Sequence, residues 1–210
     1  MITDGLNPLT VLLFVGAVLG GAALVVLFLV ARVTQRQPYA RVTLRTLIAG
    51  AGLYALLFLG ASLFSRSRVL APGEEKHICE IDCHLAYSVT GSKSEPLPDG
   101  RLRETVTVKV RFDEGTISAR RSHTASLTPN SRYVALVDAQ GHEYPGSTDE
   151  LRRALIPGES YTADIVFEVP AATADLRLVL RNNDAETTFI IGHENSLWHG
   201  KTTFALAKAS

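Results

Sequence analysis

Two cysteines and two histidines crowd into the segment KHICEIDCHL, as His77, Cys79, Cys83 and His84, and the chain holds no other cysteine. Four chemistries suit that set. An even cysteine count in an exported domain points to a disulfide. Four residues of extended strand would hold the two Cα atoms about 13 Å apart, while a disulfide needs roughly 4.4 to 6.8 Å, so the chain must turn around Glu80 to Asp82. Soft thiolates beside imidazoles suit copper or zinc, with His77, Cys79, Cys83 and His84 as ligands. C-E-I-D-C-H is the pattern for covalent haem attachment with one residue added, and His84 would then be the axial ligand. Thiol exchange needs a low-pKa cysteine at a helix N-terminus, and no helix is predicted there. The disulfide is the expected state, the other three standing as alternatives.

A second group lies near the end, where His193, Glu194 and His199 surround Trp198 in IGHENSLWHGK. Trp198 and His199 are expected in a partner-contacting loop, with the indole as anchor. Arg120, Arg121 and His123 read as a solvated loop. The sequence contains no G-x-S-x-G, no phosphate-binding loop and no H-E-x-x-H, so no enzyme activity, cofactor or small-molecule substrate is expected. With 21 Lys and Arg against 21 Asp and Glu there is no basic excess for neutralising phosphates, so nucleic acid is not an expected partner.

The elements that carry these groups fall into two parts. From Leu9 to Ala31 the chain is uncharged and apolar, enough for a helix of roughly 35 Å. A second apolar run, Leu47 to Phe64, gains reach from Thr43, Leu44 and a snorkelling Arg45. The predicted spans are 9–31 and 44–64, within a membrane hairpin covering 1–65. The opening MITDGLNP, whose one charge is Asp4, lacks the basic start of a signal peptide. The connecting loop, 32–43, and the start of the second span contribute Arg32, Arg36, Arg41 and Arg45 without an acid, which predicts a cytoplasmic loop. Both termini and the soluble part are then expected on the periplasmic face of a bacterial inner membrane. Gly16 and Gly20, with Gly50, Gly52 and Gly60 on the second span, supply small faces. These suit the hairpin's own packing or the helices of a larger complex.

After a linker at 66–76, residues 77–210 alternate with period two. Val106, Val108, Val110 and Phe112 form one predicted inward row, and Tyr161, Ala163, Ile165, Phe167 and Val169 another. Further strands are predicted at 78–89, 132–138, 176–181, 187–191 and 201–207, with turn residues between them. About seven strands of this kind predict an all-β antiparallel sandwich behind two transmembrane helices.

The stretch TVTVKVRFDE, the hairpin pattern Leu136, Asp138, Gly141, Tyr144, the turn Pro157, Gly158, Glu159 and the strand end Phe167 to Pro170 resemble the telokin-like, immunoglobulin-type domains of unknown function in exported bacterial proteins. The resemblance covers about Arg101 to Leu180 and implies an immunoglobulin-like fold without a shared activity. A two-span hairpin before a sandwich also resembles subunit II of haem-copper oxidases, whose dinuclear copper site uses a C-x3-C pair. This chain departs from that pattern: Tyr87 stands where a histidine belongs, Met1 is the sole methionine, and the pair precedes the sandwich. The expected function is therefore a non-catalytic, membrane-anchored accessory subunit, in contact with lipid and with integral subunits of a larger complex. Respiratory and photosynthetic electron-transfer assemblies are the expected hosts by analogy, and a copper-binding electron carrier is the alternative.

Overall fold

Pro38 explains why the first connection is so short. At the head of a helix proline costs no hydrogen bond, and its fixed φ suits the first turn. The predicted loop at 32–43 accordingly shrinks in the computed structural model. Helix α1 runs from Pro8 to Val33 and α2 from Gln37 to Leu63, so Arg41 and Arg45 are helical. The turn between them is closed by the Arg36 N–H donating to Ala31 O at 2.8 Å, with Gln35 at φ +56°. Both helices are long and apolar enough to cross a membrane. The structure describes residues 2–4, 8–78, 83–117, 122–130, 132–182 and 185–207.

The strands are β1 (Ile2–Asp4), β2 (Arg68–Leu70), β3 (Lys76–Ile78), β4 (Leu85–Pro96), β5 (Arg101–Phe112), β6 (Arg132–Val137), β7 (Glu143–Pro145), β8 (Ser160–Pro170), β9 (Arg177–Asn182) and β10 (Thr202–Ala205). Among the described residues they form two five-stranded sheets, ordered β1-β3-β4-β5-β8 and β2-β10-β9-β6-β7. The predicted rows hold: Val106, Val108, Val110 and Phe112 on β5 and Ile165, Phe167 and Val169 on β8 are buried, while their alternates face outward. One core joins these rows to Leu136, Leu178, Leu180 and Phe204 of the other sheet.

Three expectations are corrected. The linker at 66–76 contains β2, which pairs with β10, and the first residue of β3. The sheets are not wholly antiparallel, because β1 with β3 and β2 with β10 run parallel. Residues 187–191 are no strand: 185–189 form a 3-10 turn, and 185–200 belong to the compact unit of the helices, not to that of the sandwich. The apolar run there is too short to set a period, and the backbone turns at Gly192 with φ +74°.

The hairpin pattern of β6 and β7 is now physical. Asp138 Oδ1 accepts the N–H groups of Gln140 and His142, both at 2.9 Å. Its Oδ2 accepts from His142 Nδ1 at 3.0 Å and from the Tyr144 hydroxyl at 3.2 Å. Gly141 supplies the left-handed φ of +86° that closes the turn. At the other turn, the Gly158 N–H donates to Phe112 O and the Phe112 N–H to Glu159 O, which fixes the end of β5.

Candidate functional site

His77 lies on β3, and His84 comes one residue before β4. The two strands pair antiparallel with Ile78 opposite Leu85, so the chain reverses across the cysteine segment as the disulfide reading requires. Cys83 is not a free thiol. Cys79 lies outside the described residues, and so do Arg120 and Arg121. The two imidazoles are both buried and both engaged. His77 Nε2 donates to Asp113 Oδ2 at 2.9 Å. The Thr116 hydroxyl donates to Asp113 O at 2.7 Å, so it accepts from His84 Nδ1 at 2.6 Å, which assigns the proton to that nitrogen. The His84 ring also stacks on Phe112 with centroids 5.5 Å apart.

Arg111 joins this corner to the start of β3. It holds Glu75 with two charge-assisted bonds, at 2.8 and 2.6 Å, and Asp113 at 3.2 Å. The Arg111 hydrogen bond draws Glu75 below its usual carboxylate range, against partial burial. Burial pushes Asp113 up, but the bonds from His77, Arg111 and the Gly115 N–H outweigh it and the net shift is down. Such fixed partners orient rings and carboxylates, and they leave those nitrogens unable to ligate. Among the described residues no three His, Cys, Asp or Glu side chains converge to hold a metal ion.

Charges inside the sandwich went unread in the sequence. Lys76 is fully buried and donates from Nζ to Leu180 O at 2.8 Å, tying one sheet to the other. Arg132, also buried, reaches Asn182 Oδ1 at 2.9 Å and the Tyr87 hydroxyl at 3.2 Å. Burial pushes the nearby Tyr161 phenol up to about 12. A cation at the first position of a strand reads as a solvated end, and only the pairing of distant strands reveals that it is inside.

In the helical unit, an apolar groove of about 780 Å³ runs between α1 and α2. Gly16, Gly20, Gly21, Gly50 and Ala51 line part of it. A Cβ built on any helical glycine meets nothing within 4 Å. These glycines are therefore not consumed by close packing of the hairpin on itself, one of the two uses expected of them. The last predicted group also belongs to this unit, apart from the sandwich unit that carries the cysteine segment. His193 and Glu194 are buried there, Trp198 is exposed, and His199 Nδ1 donates to Gly200 O at 2.9 Å.

No protein-family model matches the chain, and no curated protein does. Among solved structures it is similar to the secreted protein MPT63 of Mycobacterium tuberculosis, with 14% identity and a TM-score of 0.43 over 66% of this chain and 97% of that one. It is similar to an uncharacterized β-sandwich protein of Clostridium difficile, with 10% identity and a TM-score of 0.39 over 68% and 96%. A conserved hypothetical protein of Bacillus anthracis gives 14% identity and a TM-score of 0.36 over 55% and 92%.

Proposed function

We propose that this chain is a membrane-anchored accessory subunit whose hairpin docks a helix of a larger membrane complex in the groove between α1 and α2. The observation that carries the reading is the row of unused glycines in that groove. Lipid gives apolar helices no hydrophobic reason to associate, so they associate where small residues allow backbones close approach. Gly16, Gly20 and Gly50 offer that approach and the hairpin does not take it. Purification of the tagged chain in mild detergent should bring down partners in fixed ratio. Gly16→Leu with Gly20→Leu should cut their recovery about tenfold, the equivalent of about 1.4 kcal/mol. A lone monodisperse chain, or partners retained by the double variant, would sink the proposal.

The hairpin crosses the cytoplasmic membrane with its arginine-rich turn inside and the sandwich in the periplasm. Supporting this, both strands that flank the helices, β1 and β2, are built into the sandwich, so the chain leaves it and returns. A cysteine placed at Gln37 should resist an impermeant thiol reagent in intact spheroplasts, while one at Ser147 should react. Reversed labelling would overturn the orientation.

In that compartment Cys79 and Cys83 form a disulfide across the turn between β3 and β4. The reversal at Ile78 and Leu85 removes the obstacle that extended backbone would pose. A loop this short gains little chain entropy, less than the roughly 3 kcal/mol of a fifteen-residue loop. Changing both cysteines to Ser should therefore leave the sandwich folded, with a modest loss in denaturant midpoint. Hydrogen exchange should quicken mainly around Lys76 to Tyr87, and uniform loss of protection would contradict this local role.

A further inference from the structure

Residues 187–200 are inside out in part: Ile190 and Ile191 are buried as in any core, but the other five buried side chains are polar. Thr187, His193, Glu194, Asn195 and Ser196 are buried, and some of their polar groups bond within the segment. Asn195 Nδ2 donates to Thr187 Oγ1 at 2.9 Å, the Asn195 N–H to His193 Nδ1 at 3.0 Å, and the Ser196 hydroxyl to Ile190 O. The side chains left outside are Phe189 at 56% exposed, Leu197 at 45% and Trp198 at 69%, and the other exposed residue is Gly192. Water favours the reverse arrangement. Turning polar groups inward and large apolar ones outward is favourable where the surroundings are themselves apolar.

The contacts with α2 give the segment a depth. At one end the Gly200 N–H donates to Ser65 Oγ at 2.6 Å, just past the helix. At the other, the Tyr54 hydroxyl donates to Phe189 O at 2.7 Å. Tyr54 stands nine residues before Leu63, roughly 13 Å down the helix axis. Helical side chains lean toward the N-terminus, so the hydroxyl is no nearer the helix end than its own Cα suggests. Tyr54 is mid-way along the apolar run Leu47 to Phe64, and a hydrocarbon core is about 30 Å thick. The segment thus follows α2 to a level that, in a spanning hairpin, lies well below the headgroups.

We propose that residues 187–200 form a re-entrant element seated in the outer leaflet beside α2, with Phe189, Leu197 and Trp198 in contact with lipid. The proposal rests on the reading of the hairpin as transmembrane. Lipid is the occupant because α2, which the segment lies against, is itself apolar and exposed at Leu53, Leu56 and Leu63, as a lipid-facing helix would be. Irregular backbone survives at that depth only where its polar groups are met within the protein; here Phe189 O accepts from Tyr54 and Ile190 O from Ser196, and the N–H groups of Ile190, His193, Ser196 and His199 donate to carbonyls three residues back. Trp198 adopts a left-handed φ of +59°, a conformation that costs a bulky residue about 1–3 kcal/mol. Setting the amphipathic indole at the boundary between acyl chains and headgroups offsets that cost.

The chain has a single tryptophan, so intrinsic fluorescence of the full protein in phosphatidylcholine vesicles reports on residue 198 alone. The expected result is blue-shifted emission, severalfold stronger quenching by lipids brominated near the headgroup end of the acyl chain than by aqueous iodide, and retention after alkaline carbonate washing. In a second protein, Trp198→Phe with Phe189→Trp, the strongest quenching should move to bromines placed further down the chain. Iodide quenching without bromolipid quenching, in protein that resists carbonate, would overturn the re-entrant element and leave the transmembrane hairpin standing. Protection from both quenchers, the mark of a protein pocket, would overturn it too. Release by carbonate would remove the hairpin reading and this one together.

Discussion

Replacing Phe112 with alanine is expected to cost the sandwich about 3–5 kcal/mol. The ring is fully buried at the end of the inward row of β5, with Leu85 opposite on β4 and the His84 imidazole stacked on it. Removing it forfeits burial and dispersion contacts, and the cavity cannot collapse freely. The backbone at Phe112 is held on both sides by the 156–159 turn, through bonds of 3.1 Å from Gly158 and 2.9 Å to Glu159. His84 loses its stacking surface as well, so the corner of Asp113 and Thr116 should loosen with it. Against a domain stability of about 5–15 kcal/mol this is a large fraction. Urea unfolding of the full chain in nanodiscs, followed by sandwich-specific hydrogen exchange, should show the midpoint falling with little change in slope. A loss below about 1 kcal/mol would mean the core at this corner is not packed as described.

The second large effect comes from adding one methyl group. A Cβ at Gly146 would lie 2.5 Å from Phe167 Cε1 and 3.0 Å from Ile165 Cγ2, distances at which something must move. Neither neighbour has solvent to move into, since Ile165 and Phe167 are buried on the inward row of β8. Nor can the backbone retreat cheaply, because the Gly146 N–H donates to Val134 O at 3.0 Å. Gly146→Ala should therefore destabilise by about 1–3 kcal/mol through overpacking alone. The mechanism has its own control. Phe167→Leu removes the ring that the methyl strikes, so the double variant should be less damaged than the sum of the two single changes. Strict additivity would show that the clash is not the cause.

These two sites also mark what the sequence can and cannot disclose. Phe112 was legible as a core residue because β5 buries one face only, so its side chains alternate without interruption. Gly146 was not, because its meaning lies in the approach of a distant strand. The start of β4 hides differently: Leu85 to Val89 are all buried, so no period separates their faces. β1 and β2 have three residues each, too few to display a period at all. In the helical unit the glycines were visible, but whether the hairpin used them was a matter of geometry. Residues 187–191 misled because the apolar run Phe189, Ile190 and Ile191 is too short to tell a strand from a 3-10 turn. Ile190 and Ile191 are buried and Phe189 is exposed in the unit of the helices, not in a sheet.

The strands that flank the helices also govern timing. β1 must pair with β3, and β2 with β10, so each leaves the ribosome well before its partner. Between β1 and β3 lie the two helices, and between β2 and β10 lies nearly the whole of the sandwich. Non-local pairings of this kind form slowly, because a long loop has to close before any contact rewards it. Until then β3 lacks its neighbour β1 and β10 lacks β2, leaving two open sheet edges to solvent and to chaperones. Folding of the two helices and closing of the sandwich are thus linked, and a chain whose β1 and β2 are kept from their partners would stay incomplete at both sheet edges.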